Sequence, residues 1–303
     1  MVQLRDIGLF LLIQILFGST FPAVKAGLEF LPPLFFAAVR FVTAGCLLVG
    51  YMRVTGQEWR PRVRDDWTAV LTSGILFFGV SGLLYIGQQF TTSGVAGIIY
   101  SMIPIMTVVV AWLILPNERL SVRGMVGVLV SFVGVAIVVL PNPSNFGTTL
   151  VGEGLVLLAA ISATLGTVFL RKIAASMSNV TLTGWSMLIG GGIQYGFSVL
   201  QGESLAIAAF TPTAFVLLCY LVVLPSAVGY VIYFDLIARF GPVEINLSSY
   251  LVPVVAVVLG WVFLDEQVTS LTFVGFLVIV TGFILIKYRE LTAELAHFRV
   301  FGS

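Results

Sequence analysis

Apolar residues run along this chain in long unbroken stretches and do not alternate with polar ones. Ten such stretches stand out, at 7–28, 33–52, 67–90, 94–115, 122–140, 152–173, 180–200, 212–237, 242–264 and 270–287. Each approaches the roughly 20 apolar residues that a helix needs to cross the hydrocarbon core of a bilayer. The pattern predicts an all-α membrane protein with ten transmembrane helices. The polar connections are too short for an extramembrane domain; the longest, Met52 to Asp66, carries Arg53, Arg60, Arg62 and Arg64. An uncharged, turn-rich segment at 141–151 divides the chain near its centre. The tail at 288–303 is short and mixed in charge.

Composition strengthens the membrane reading. Hydrophobic residues make up 59% of the 303 residues and charged residues 10%, where soluble domains hold about a quarter charged. Mean hydropathy is +1.09. The net charge of +1 offers no basic field for nucleic acid. The single histidine, His297, lies in the tail, which argues against His-based metal sites and Ser-His catalysis. Cys46 and Cys219 sit within apolar runs and read as small buried hydrophobes.

Cytoplasmic loops of membrane proteins are enriched in Lys and Arg. With both termini in the cytoplasm, thirteen of the fifteen Lys and Arg residues fall on that side. Lys25 falls near the outer end of helix 1, and Arg40 falls inside helix 2. The expected orientation therefore has the N and C termini cytoplasmic, and the expected location is a bacterial inner membrane. Arg5 and the apolar run before Gly18-Ser19-Thr20 also have signal-peptide character. A counterpart later in the chain favours a retained helix.

That counterpart belongs to an internal repeat. Pro104 and Trp112 match Pro253 and Trp261 at the same spacing, and Glu118 matches Glu266 after one gap. Gly127 and Gly134 match Gly275 and Gly282, Tyr85 matches Tyr233, and Gly8 and Lys25 match Gly154 and Arg171. The halves run over 7–140 and 152–287, followed by the tail at 288–303. Five helices is an odd number, so the second half enters the membrane inverted. Such inverted repeats are an architectural signature of carriers, in which two related halves expose one site to either side.

Ten helices in two inverted five-helix halves resemble the drug/metabolite transporter superfamily of the EamA type. The motifs GSTFPAVKAG…PPLFFAAVRF and the paired Pro-…-Trp-…-Glu segments carry the resemblance over about 7–287. Within the family the chain looks most like YddG-type exporters of aromatic and other neutral amino acids. The resemblance implies a central cavity lined mainly by helices 1, 3, 4, 6, 8 and 9, with helices 5 and 10 peripheral.

Polar side chains are costly in hydrocarbon and face either a cavity or a partner helix. Ser81, Tyr85 and Gln88 fall at i, i+4, i+7, on one helical face, and Ser226, Tyr230 and Tyr233 repeat that spacing in the equivalent helix. Tyr100, Ser101, Ser248, Ser249 and Tyr250 join them as expected substrate-binding residues, with Thr20 and Thr164 from helices 1 and 6. The competing reading is interhelical hydrogen bonding. Tyrosines offer an aromatic body with a polar tip, suited to a zwitterion with an apolar side chain. Pro104 and Pro253 interrupt the backbone ladder at matched points and are expected hinges or gates; the competing reading is a static kink. Arg40 would hold a substrate carboxylate, or bond backbone carbonyls. Lys25 and Arg171 read as snorkelling ends, Asp235 as an ion-pair partner of Arg239, and Glu118 and Glu266 as boundary or capping groups. The stripes Gly127/Gly134, Gly275/Gly282 and Gly192/Gly196 read as packing faces.

No carboxylate falls near the middle of a span, which favours uncoupled movement of a net-neutral substrate. The expectation is an inner-membrane exporter of small neutral or zwitterionic metabolites, amino acids first among them, working by alternating access. The alternative is a proton-coupled drug or metabolite exporter of the same superfamily. No enzymatic activity and no cofactor are expected. The expected partners are the amino-acid substrate and the lipid bilayer, with no nucleic acid, and the chain is expected to work as a monomer.

Overall fold

A computed structural model describes residues 4–114, 121–138, 146–203, 211–240, 249 and 251–301. Among the described residues all regular structure is helical. The elements are α1 (Leu4–Gly27), α2 (Pro33–Val54), α3 (Arg64–Ser73), α4 (Gly82–Gln88), α5 (Ser93–Tyr100), α6 (Ile103–Ile114) and α7 (Val122–Val138). After these come α8 (Phe146–Leu170), α9 (Asn179–Leu200), α10 (Pro212–Leu221), α11 (Gly229–Phe240), α12 (Leu251–Leu264) and α13 (Ser270–Phe301). Among the described residues six helical stretches are long and apolar enough to cross a membrane: Arg5–Gly27, Pro33–Val54, Arg64–Gln88, Ser93–Ile114, Gly147–Leu170 and Pro212–Tyr233. Val122–Val138, Leu251–Leu264 and Ser270–Ile286 are shorter apolar helices.

Two long helices contain a wider turn. Gly74–Gly79 joins α3 to α4 as π-helix, and Val222–Val228 joins α10 to α11 in the same way. A π segment holds one extra residue per turn and loosens the ladder, and such segments recur at functional sites. Gly74 and Val222 open the two segments, and Tyr85 and Tyr233 stand eleven residues beyond them in each case. Pro225 lies within the second segment.

Small residues set the closest helix contacts. A Cβ on Gly127 would lie 2.5 Å from the Gly282 carbonyl, and one on Gly134 would lie 2.8 Å from the Gly275 carbonyl. The four matched glycines thus face one another and let α7 and α13 approach backbone to backbone. The Gly192/Gly196 stripe departs from expectation, since a Cβ at either position meets nothing within 4 Å. The neighbouring Gly190 and Gly191 turn inward, against Phe78 and Val42. One residue step rotates a helix position by about 100°, which a search for glycine spacing alone does not resolve. Cys46 and Cys219 are exposed and free, not buried as expected; the outer wall of such a bundle is itself apolar.

Asp66 ties one end of the bundle. Its carboxylate accepts from the amides of Arg62 (3.0 Å), Val63 (3.3 Å) and Ser176 (2.8 Å), and from the Ser176 hydroxyl (3.1 Å). Asp66→Ala leaves these donors unpaired, and the expected fall in Tm is about 5 °C, read by thermal unfolding in detergent. An unchanged Tm would refute the tie.

Candidate functional site

The central polar group gathers around Arg40. Phe35–Ala38 and Phe41 are buried around the first turns of α2, and Arg40 among them is only 6% exposed. Its Nε donates to Ser226 Oγ at 3.0 Å, and its NH1 donates to Tyr85 Oη at 3.0 Å. The guanidinium also lies 5.2 Å from the centre of the Phe41 ring. The cation therefore joins α2, α4 and the second π segment. It forms no ion pair with a carboxylate among the described residues.

Aromatic rings surround this group. Tyr85 meets Phe36 edge-on at 5.6 Å. Tyr230 packs against Phe17 at 5.4 Å, Phe78 at 6.2 Å and Tyr233 at 6.3 Å. Tyr100 meets Phe21 edge-on at 5.7 Å. Phe17 and Phe21 are one turn apart on α1, so one helix face meets tyrosines from α5 and α11. Tyr85 is closed off, at 1% exposed, whereas Tyr100, Tyr230 and Tyr233 keep partial exposure. These separations are those of offset and edge-to-face aromatic packing. The arrangement offers ring faces and hydroxyls beside a single cation.

The other expected site residues are placed differently. Ser81 donates to the Phe78 carbonyl (2.6 Å) and accepts from Gln194 Nε2 (3.1 Å), which ties α9 to the first π segment. Gln88 is fully buried, and its Nε2 donates to the Phe21 carbonyl at 3.2 Å. Thr20, Thr164 and Ser101 bond back to the carbonyls of Leu16, Ala160 and Ile98 in their own helices. Ser249 lies at a turn before α12 and accepts, through its backbone carbonyl, the Val252 amide at 3.0 Å. Ser248 and Tyr250 lie outside the described residues, as does Glu118. Pro104 is the second residue of α6, just past a break at Ser101–Met102 between α5 and α6. Pro253 is buried near the start of α12. Sequence reasoning passed over Phe17, Phe21 and Phe78; apolar rings in an apolar helix carry no distinguishing signal.

Charged ties hold the two ends of α1. At the C-terminal end, Lys25 Nζ donates to the carbonyls of Gln88 (2.5 Å) and Thr91 (2.9 Å). This is a cross-helix tie and not the free snorkelling end expected. Next to it, Glu266 accepts from the Ser93 amide (2.7 Å), the Ser93 hydroxyl (2.7 Å) and the Gly94 amide (3.3 Å). Its carboxylate thus sits on the N-terminus of α5, where the helix dipole favours an anion. At the N-terminal end of α1, Asp6 pairs with Arg239 at 2.8 Å, and Arg239 also pairs with Asp235 at 2.8 Å. Glu153 of α8 is 5% exposed, with Oε1 3.5 Å from Thr91 Oγ1 and Oε2 without a partner. Among the described residues no cluster of His, Cys, Asp and Glu forms a metal site.

The profile of the EamA-like transporter family matches the chain twice, over residues 5–140 and 150–288. The chain is 27% identical over 288 residues to transporter YvbV of Bacillus subtilis, covering 93% of this chain and 91% of the relative. It is 27% identical over 281 residues to inner membrane transporter YedA of Escherichia coli K12, covering 92% and 89%. A solved crystal structure superimposes with a TM-score of 0.67 at 18% identity, over 90% of this chain and 93% of that one. This last likeness concerns the fold.

Proposed function

The chain belongs to the EamA-like transporter family, and from that premise we propose that it exports small neutral or zwitterionic metabolites, above all amino acids with apolar or aromatic side chains. The observation that carries the reading is the cluster of packed rings, Phe17 with Tyr230 and Phe21 with Tyr100, together with the buried Arg40 bonded to Tyr85. Ring faces take an apolar side chain, and hydroxyls serve a polar backbone. The role is transport rather than catalysis. Ten spans form two inverted five-helix halves, a reading supported by the double family match and by the paired π segments. The halves alternate access, bending at the π segments and near Pro104 and Pro253. Both termini lie in the cytoplasm of a bacterial inner membrane, which places Lys25 and Glu266 at the outer end and Arg239 at the inner end.

Counterflow in proteoliposomes tests the function. Vesicles loaded with unlabelled phenylalanine are expected to accumulate trace labelled phenylalanine saturably, with the same rate under an imposed pH gradient. No counterflow for any amino acid would remove this substrate class. Glu153 favours a second reading, proton-coupled export, because it is a buried carboxyl with one unpartnered oxygen. Accumulation driven by a pH gradient and abolished in Glu153→Gln would establish that reading and overturn uncoupled movement.

A further inference from the structure

We propose that Arg40 is the carboxylate anchor of the transport site, held ready by Tyr85 and Ser226 to receive a monocarboxylate on its remaining guanidinium donors. The inference rests on the amino-acid reading above and specifies which atoms meet the substrate's anionic end.

The argument begins with cost. An arginine inside a membrane span is rare, and such residues normally pair with an acid or line a path. Arg40 is 6% exposed, and its hydrogen bonds among the described residues go to two neutral hydroxyls. No aspartate or glutamate pairs with it among the described residues. A buried charge left without a counterion is strongly unfavourable, so the site stores an unmet demand for an anion.

Geometry then selects the anion. A guanidinium has five N–H donors in a planar fork. Nε and one N–H of NH1 are spent on Ser226 and Tyr85. Among the described residues NH2 makes no hydrogen bond and NH1 keeps one N–H unused. Donors on these two neighbouring nitrogens can meet the oxygens of a carboxylate. The two hydroxyls fix the guanidinium plane, so the fork is oriented before substrate arrives. Tyr230, which packs on Phe17 and Phe78, flanks the same region and supplies an apolar wall for the side chain. Arg40 and one carboxylate leave the closed site neutral, and the substrate's ammonium group then faces hydroxyls and ring faces. Ser226 and Tyr85 also connect the anchor to α4 and to the second π segment. Substrate binding therefore meets both proposed moving helices at one residue.

The test uses the purified full-length wild-type protein and four probes sharing one phenyl ring: phenylalanine, 3-phenylpropionate, phenylalanine amide and phenethylamine. Tryptophan fluorescence and thermal shift report binding without transport. Phenylalanine and phenylpropionate are expected to bind at least about tenfold more tightly than the amide and the amine. Arg40→Lys keeps the charge and loses the fork, and is expected to weaken both carboxylates by about tenfold or more. Arg40→Met is expected to erase the preference for the two carboxylates. Equal binding of all four probes by the wild type overturns the proposal, as does a carboxylate preference that survives Arg40→Met. Absence of binding by either carboxylate overturns it as well. The wild-type series decides the matter if neither variant folds. Carboxylate binding that depends on Arg40, in a protein that moves no amino acid, would retain the anchor and refute the amino-acid reading. Amino-acid counterflow together with equal binding of the four probes would do the reverse.

Discussion

Glu266→Ala is expected to open the end of the bundle where Glu266 meets α5 and to slow counterflow by two orders of magnitude or more. The carboxylate takes two bonds of 2.7 Å, from the amide and hydroxyl of Ser93, and a longer one of 3.3 Å from the Gly94 amide. Hydrogen bonds to a charged group contribute about 1.5–3 kcal/mol each. The two short ones together are worth about 3–6 kcal/mol to the arrangement in which the α12–α13 turn sits on α5. A shift of about 5.5 kcal/mol carries a two-state equilibrium from 1:99 to 99:1. Losing the carboxylate therefore removes an energy that approaches this shift at the upper end of its range. The local backbone is built for this contact. Asp265 adopts a left-handed φ of 51° to turn Glu266 inward, and a side chain at Gly260 would strike both the Glu266 carboxylate and the Ser93 hydroxyl.

The measurement is labelling of Ala23→Cys by an impermeant maleimide, in a protein carrying Cys46→Ser and Cys219→Ser. Ala23 is a half-buried residue of α1 two positions before Lys25. Its labelling rate is expected to rise at least tenfold in Glu266→Ala and to an intermediate value in Glu266→Gln. Thr92→Ala is the control: the Thr92 hydroxyl caps the same helix through the Val95 amide at 3.2 Å without crossing to α12. If Thr92→Ala raises labelling as much as Glu266→Ala, the carboxylate is a helix cap alone and the gate is refuted.

How much of this was legible in the chain depends on the range of the interaction. Apolar runs dictate helices locally, because a backbone without water must bond to itself. The expected runs accordingly fall mainly on helical segments where the residues are described, with turns at 80–81, 101–102 and 171–172, while the full count of spans rests on the sequence. The matched glycines on α7 and α13 were legible for a similar reason, since spacing by seven holds one helical face. The π segments were not legible. One extra residue in a turn changes no hydropathy, and only Pro225 in the second segment hinted at it. The Arg40 cluster was half legible. The arginine stood out as the one cation deep within a span, but its partners lie 45 and 186 residues away. Ser81 and Gln88 share a helical face with Tyr85, yet Ser81 meets α9 and Gln88 meets α1. A helix inside a bundle has neighbours on every side, so a shared face in sequence does not mean a shared cavity.

The largest loss of stability is expected from Gly282→Leu. A Cβ at that position would lie 2.5 Å from the Gly127 carbonyl and 2.7 Å from the Ser131 amide nitrogen, and would strike the Ser131 hydroxyl. Those neighbours are mostly backbone, which cannot rotate away as a side-chain tip can. Ser131 itself bonds to the Gly127 carbonyl at 2.9 Å, so the displaced hydroxyl would also lose its acceptor. The helices must separate, and the matched contact between Gly134 and Gly275 would open with them. Overpacking of this kind costs about 1–3 kcal/mol per site, and two coupled sites give a fall in Tm of roughly 5–10 °C. Gly192→Leu and Gly196→Leu supply the comparison. Both glycines face open space, and both substitutions are expected to leave the Tm within about 2 °C, since surface changes seldom exceed about 0.5 kcal/mol. Thermal unfolding of the three variants in one detergent decides the matter. Equal shifts would mean that glycine content, rather than the closeness of α7 and α13, sets stability. Protein that survives Gly282→Leu is expected to retain the Arg40-dependent carboxylate preference, because α7 and α13 contribute none of the groups that contact Arg40.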